Sequence, residues 1–352
     1  MVKTIKKIFN YIKQFLFIFF FIIIFDLLIN LFLPHYVKQL VGTERSYSLY
    51  SQRFHHKVDS NVKTLGHWGE RTYDIFTDQN GFRIGSEEKY NENLQNIGFI
   101  GDSFVWGSGI NYKNHFISVL NDKKFNYLNL GYVSYSPSIY LKRLEYFINI
   151  KKIKFKKIYF FVDHSDIQDE GVFYREDKKG NIVRAYNSDR ENQIRHYKHS
   201  VKNYLKRNSF IFKFFEILNV RNNSKMTEVS NCIRSNSLNA YKKFLDEDRN
   251  NYTISKKLQS EKWVIKGKNK TKNYLNKISK LLESNDIDLV LVLYPSANEI
   301  LNKVNENNSF HTIFLKNFFN KNLKGNAKIL NTFSFFQFSD DPIIDYKKYW
   351  IP

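Results

Sequence analysis

Hydrophobic and polar positions divide this chain into three unequal regions. From Phe15 to Leu33 the run "FLFIFFFIIIFDLLINLFL" is apolar apart from Asp26 and Asn30, about the length that crosses a hydrocarbon core as a helix. Val37 to Asn96 is polar and rich in turns, with "TDQNGFRIG" reading as strand, turn and strand around Asn80-Gly81. Alternation follows. "NIGFIG" predicts a strand, "HFISVLND" a helix, "FNYLNLG" a strand, "SIYLKRLEYFINIKK" a helix and "KKIYFFVDHSD" a strand. The pattern lapses from about 170 to 270, where "NYLKRNSFIFKFFEIL" is the clearest helix. It resumes with "TKNYLNKISKLLESND" as a helix, "IDLVLVLYP" as a buried strand, "VNENNSFHTIFLKNFFNKNL" as a helix and "KGNAKILNTFSFF" as a last strand. No internal repeat is present. Such alternation predicts an α/β fold, with a mostly parallel sheet covered by helices on both faces.

The apolar run is preceded by Lys3, Lys6, Lys7 and Lys13, and no small-residue cleavage signal follows it. Residues 1–36 therefore read as a cytoplasmic tip and uncleaved signal-anchor, with the remaining chain on the far side of the membrane. In a bacterium that places the body in the periplasm or at the cell surface. The alternative is an unusually apolar core helix. Residues 37–96 read as an entry segment, and 97–352 as one α/β domain carrying the partly helical insertion.

Composition narrows the function. Among 352 residues, the formal charge of +21 comes from 55 lysines and arginines against 34 acids. The excess is mostly scattered lysine, with no arginine-rich helix, zinc spacing or ribonucleoprotein motif, so nucleic acid is not an expected partner. The single cysteine, Cys232, cannot form an intramolecular disulfide. His196 and His199 are spaced i, i+3, a faint metal signal. Asp163, Asp166, Asp169 and Glu170 do not follow the EF-hand spacing, and a solvated acidic loop is their simpler reading. No metal or cofactor is expected.

Chemistry concentrates where strands end, because ligands of open α/β sheets lie beyond the carboxyl ends of the strands. The first strand ends in Gly101-Asp102-Ser103, the second in Asn129-Leu130-Gly131, the third in Asp163-His164-Ser165-Asp166. Glycine permits close backbone approach, and a serine there can expose its Oγ while backbone N–H groups face a developing oxyanion. An ordinary turn with a helix-capping serine is the competing reading.

Taken in order, "IGDSFVWGSGI", "LNLGYVSYSP" and "YFFVDHSDIQDE" resemble three signature blocks of the SGNH (GDSL-type) hydrolase family. "TDQNGFR" and "VLVLYPSANEI" are similar to segments of its membrane-anchored bacterial members. The resemblance covers most of the chain from about Thr77 onward, outside the insertion. It implies a three-layer, flavodoxin-like fold. Ser103 would be nucleophile and oxyanion N–H donor, Gly131 a second N–H donor, and Ser165 a hydroxyl donor where the family has asparagine. Asp102 and Asp166 would be loop-fixing acceptors. The family's catalytic Asp and His, two residues apart near the C-terminus, have no counterpart. "DYKKYWIP" resembles the run that leads into them, so the chain reads as C-terminally truncated, the alternative being a protein without the usual base.

His164, between Asp163 and Ser165, is a weak substitute base, more simply a polar loop residue. His115 is expected to face solvent or a helix end. His35, His55, His56 and His67 have no carboxylate that the sequence can pair with them. Trp106 reads either as a sugar-stacking ring at the site mouth or as a core wall.

The implied function is an extracytoplasmic serine ester hydrolase acting on acyl or acetyl esters of carbohydrate. The alternatives are an O-acyltransferase of cell-surface polysaccharide, fed by a membrane acyl-donor partner, and a catalytically inactive scaffold or binding protein.

Overall fold

The computed structural model describes residues 2–33, 47–68, 71–86, 91–120, 124–188, 249–322 and 327–336, with short stretches between 190 and 215 and residue 344. Cys232, His35, His196 and "DYKKYWIP" lie outside the described residues, as does much of the expected insertion.

Helix α1 (Val2–Phe32) contains the apolar run, and none of its most apolar window is buried in the protein. Among the described residues it is the one helix long and apolar enough to cross a membrane, over Phe9–Phe32. A small antiparallel hairpin follows, β1 (Ser48–Ser51) with β2 (His55–Val58). Next come β3 (Lys63–Trp68), β4 (Arg71–Thr77) and β5 (Arg83–Ile84), the last two joined through Gly81 at φ +80°.

Strand β6 (Gln95–Ile100) leads into the short helices α2 (Ser103–Trp106) and α3 (Phe116–Val119). Strand β7 (Phe125–Asn129), helix α4 (Pro137–Glu145), strand β8 (Phe155–Phe161) and helix α5 (His164–Gln168) follow. A second hairpin pairs β9 (Tyr174–Glu176) with β10 (Ile182–Arg184). Helix α6 (Lys262–Glu283) precedes β11 (Asp288–Leu293), α7 (Ala297–Leu301), α8 (Phe310–Asn322) and β12 (Lys328–Asn331).

The main sheet has the order β12-β11-β8-β6-β7-β5-β4-β3. β7, β6, β8, β11 and β12 run parallel, while β5, β4 and β3 extend the sheet antiparallel beyond β7. The expected entry segment thus supplies all three strands of the sheet's antiparallel wing. The strand, turn and strand expected in "TDQNGFRIG" are the end of β4, the turn at Gly81 and β5, whereas β3 is too polar to show a face before β4 pairs with it. Among the parallel strands the spatial order is second, first, third, fourth, fifth, which puts a topological switch between β6 and β8.

Alternation along β8 shows how the two faces differ. Ile158 and Phe160 point into the larger core with Leu289, Leu291 and Leu293 of β11. Helix α6 closes that core with Tyr274, Leu275, Ile278 and Leu282, spaced as one helical stripe, and α8 adds Leu315, Phe318 and Phe319. Tyr159 and Phe161 belong to the opposite face with Ile97, Phe99, Tyr127 and Val292. There the described helical cover is only α2 and α3, through Val105, Phe104, Ile117 and Phe116, with Phe336 from beyond β12. The helix expected in "HFISVLND" is present as α3, four residues long, so among the described residues this face carries shorter helices than the other.

Candidate functional site

Glycines place the first turn. At Gly101 an added Cβ would lie 2.4 Å from Val105 Cγ2, and at Gly131 it would lie 2.8 Å from Val105 Cβ and 3.0 Å from the Trp106 backbone nitrogen. Helix α2 therefore rests directly on the ends of β6 and β7, and Ser103 at its first position is held by that close approach. Gly131→Ala is expected to cost about 1–3 kcal/mol through overpacking and to shift Ser103; denaturant melts and the crystal position of α2 would check it. Asp102 caps the helix, its Oδ1 accepting from Phe104 N at 2.9 Å. The Ser103 hydroxyl donates to Asp102 Oδ2 at 3.3 Å, and its backbone N–H opens the helix, where no intrahelical acceptor exists.

The end of β8 contributes the facing turn. A capping box fixes it: Ser165 N donates to Asp163 Oδ1 at 2.8 Å, and Asp163 N donates to Asp166 Oδ2 at 3.0 Å. Tyr140 OH donates to both Asp166 oxygens, at 3.1 and 3.0 Å. His164 Nδ1 lies 3.2 Å from Asp163 Oδ2, which also accepts from Tyr294 OH at 2.8 Å. The Ser165 hydroxyl donates to Asp163 Oδ1 at 2.6 Å and lies 3.5 Å from Asp102 Oδ2, so it bridges the two turns. The structure thereby brings Asp102, Ser103, Asp163, His164 and Ser165 to the wall of one cleft of about 970 Å³.

Gly131 sits differently. Its N–H donates to Asn129 Oδ1 at 3.0 Å, while Asn129 Nδ2 donates to Val105 O at 2.8 Å. In this conformation Gly131 seats α2, and its N–H is directed at a side chain. Asn129, fully buried, ties β7 to α2 and was not singled out from sequence, where it reads as the end of a strand.

Carboxylates crowd behind Ser103. Burial, and then the charge of Asp163, raise Asp102 from the usual 3.8 to about 7. Burial and the neighbours Asp102, Asp163 and Asp169 push Asp166 well above the carboxylate range. Burial also acts upward on Asp163, but His164 and the hydrogen bonds from His164 and Ser165 outweigh it and hold this carboxyl below its usual value. The sign for Asp102 follows from linkage. Its folded pKa is raised, so stability present in acid is lost as pH climbs from about 4 towards 7. Asp102→Asn keeps the cap without the charge. Relative to wild type it should gain on the order of 1 kcal/mol per pH unit across that window, read from urea midpoints at successive pH values.

Of the other histidines, His115 is 1% exposed and lies at a helix end, one of the two places expected for it, and does not face solvent. Its Nε2 bonds Val105 O at 3.0 Å, and its Nδ1 accepts from Ile117 N at 3.2 Å. Burial, with Arg83 nearby, lowers its pKa to about 3, so it stays neutral and structural. It is the residue that caps α3. His56 is half-buried with Nε2 on Val133 O at 2.6 Å, His55 lies against it, His67 lies on β3, and His199 stacks on Tyr50. Trp106 is fully buried against Tyr47 and Tyr132 and is a core wall.

Sequence reading also missed Arg83, fully buried beneath the turn. Its Nη1 donates to Trp106 O and Gly107 O, each at 2.6 Å, and its Nη2 to Asp74 O at 2.9 Å and to Ile110 O. The one available signal was its place in "NGFR". Its partners are main-chain carbonyls, which no sequence motif announces. A scan against protein-family models finds no matching family, and a search of curated proteins finds no matching relative.

Proposed function

We propose that the protein is a membrane-anchored serine ester hydrolase of the SGNH (GDSL-type) kind, working outside the cytoplasm. One observation carries this reading. A serine at the end of one strand and a carboxylate-held histidine at the end of its neighbour share a cleft, at the switch point of the sheet. The parallel order β7-β6-β8-β11-β12 is also the order of flavodoxin-like sheets, which supports the three-layer reading. The apolar helix over Phe9–Phe32, with lysines before it, supports a single span with the N-terminus inside.

Ser103 Oγ attacks the acyl carbonyl and gives its proton to His164. Asp163 orients that imidazole through Nδ1 and stabilises its charge, itself fixed by Tyr294 and Ser165. The tetrahedral oxyanion takes the Ser103 N–H. His164 then protonates the leaving alkoxide, and water, deprotonated by the same imidazole, releases the acid and restores Ser103. Gly131 N–H joins the oxyanion site only if it leaves Asn129, and Ser165 only if its hydroxyl turns from Asp163. Removing one such donor costs on the order of 3 kcal/mol in a serine hydrolase, so this site is expected to be slow.

Carbohydrate acyl or acetyl esters are the proposed substrates. Transfer to a sugar hydroxyl, with acyl groups from a membrane partner, is the same chemistry with a different acceptor. The engaged Gly131 N–H and Ser165 hydroxyl favour a second reading, a non-catalytic binding protein. Incubating the protein with an acylated oligosaccharide and following acyl groups to water or to added oligosaccharide separates these. Release of free acid at a rate that depends on Ser103 supports hydrolysis, movement to sugar supports transfer, and no turnover supports the binding protein.

A further inference from the structure

We propose that the segment from Ser209 to Phe215 is a second membrane contact, a short helix laid in the outer boundary of the bilayer and pinned to α1 at Asp26; this rests on α1 spanning the membrane. The span Phe9–Phe32 carries one acid, Asp26, and an acid within a span requires a partner. It has one: Asp26 Oδ1 accepts from the Ile211 backbone N–H at 2.9 Å, across 185 positions of the chain. Asn30 is satisfied within α1 itself, its Nδ2 donating to Asp26 O at 2.8 Å. Asp26, Ile29 and Asn30 are half-buried on a helix that is otherwise mostly exposed, which marks one stripe, spaced i, i+3 and i+4, as its covered side.

Depth follows from helix geometry. At ~1.5 Å per residue the 24-residue span measures about 36 Å, against a hydrocarbon core of about 30 Å, and Asp26 lies about 9 Å inside Phe32. With the lysines before the span on the inner side, Ile211 is carried roughly 6 Å below the outer edge of the hydrocarbon, within the ~5–10 Å at which interfacial helices lie. The sequence suits that place. "SFIFKFF" holds one charged residue, Lys213, and Lys206 and Arg207 come just before it, the cations that a headgroup layer favours. Lipid cannot satisfy main-chain donors, and here the first ones are met: Ser209 Oγ accepts from Phe212 N at 2.9 Å, and Asp26 from Ile211 N. The described residues between 210 and 215 are helical, Ser209 is buried, and Phe214 and Phe215 are 48% and 60% exposed. Phenylalanine rings exposed at hydrocarbon depth meet acyl chains, so the partner of this surface is lipid. Two attachments restrain the body of the protein on the membrane, where a single tether would let it swing.

The test uses the full chain in vesicles of phosphatidylcholine and phosphatidylglycerol, in a Cys232→Ala background. A polarity-sensitive fluorophore is placed on a single cysteine by Phe17→Cys, Lys113→Cys, Phe214→Cys or Phe215→Cys. Labels at 214 and 215 should shift to the blue and resist quenching by iodide. Lipids with a nitroxide near the headgroup should quench them more than lipids with the nitroxide near the chain ends. The label at 17, inside the span, should be quenched by the deep nitroxides, and the label at exposed position 113 by iodide alone. Asp26→Leu should raise iodide quenching at 215, whereas Asp26→Asn, which keeps an acceptor oxygen, should not. Iodide quenching at 214 and 215 equal to that at 113 overturns the second contact alone. Protection from iodide without quenching by any lipid nitroxide also overturns it, since the rings would then meet protein. A label at 17 that no lipid nitroxide quenches overturns the span on which the proposal rests.

Discussion

Ser103→Ala is expected to lower kcat for ester hydrolysis by roughly four to six orders of magnitude, the scale for loss of a serine nucleophile. Folding should barely register the change. Ser103 is half-buried, and its hydroxyl makes one 3.3 Å hydrogen bond to Asp102. Losing that bond costs about 1 kcal/mol or less. Alanine also retains the backbone N–H at the helix start, so residual binding survives. The measurement is kcat against a chromogenic ester, paired with a thermal melt. A variant that keeps wild-type turnover would remove Ser103 from the chemistry, whatever its melt.

Arg83→Met is expected to have the largest effect on stability, at least about 3 kcal/mol. The guanidinium is fully buried and reaches four backbone carbonyls, those of Asp74, Trp106, Gly107 and Ile110. Methionine preserves much of the stem volume but leaves these acceptors stranded, at about 1–3 kcal/mol for each that water cannot reach. Tyr73, Trp106 and Tyr112 also lose the cation they surround. Because three of the bonded carbonyls, those of Trp106, Gly107 and Ile110, lie in the turn that Ser103 opens, activity should fall with stability. Urea unfolding of wild type and variant measures the first effect, and turnover well below the melting range measures the second.

The parallel half of the fold was legible because its strands are buried on both faces. "IDLVLVLYP" and "KKIYFFVDHSD" are continuous apolar runs, and β11 and β8 lie inside them. Of the antiparallel wing only the hairpin turn in "TDQNGFRIG", between β4 and β5, was legible. β3, "KTLGHW", alternates too weakly to show a face until β4 pairs with it, and β5 is two residues long. Helix α6 begins at Lys262, earlier than the expected start near 271, because Val264 and Gly267 continue its buried stripe across a lysine-rich surface.

At the candidate site, the glycine spacing around Ser103 and the ends of β6 and β8 pointed to turns that line one cleft. The hydrogen bonds decided matters that spacing cannot. Asn129 takes the Gly131 N–H, and Asp163 takes the Ser165 hydroxyl. Tyr294, just past the end of β11 and 131 positions from Asp163, fixes the carboxylate beside His164. The first two contacts join residues two positions apart, yet which way each group turns depends on the packing around it; the third joins elements far apart in sequence.

Adduct mapping tests the central claim most directly. The full chain would be treated with a small fluorophosphonate, digested and sequenced by mass spectrometry, in wild type and in His164→Gln. The account predicts a phosphonyl group on Ser103 in wild type, formed much more slowly in the variant. An adduct on another residue, no adduct at all, or equal rates in the two proteins would contradict it.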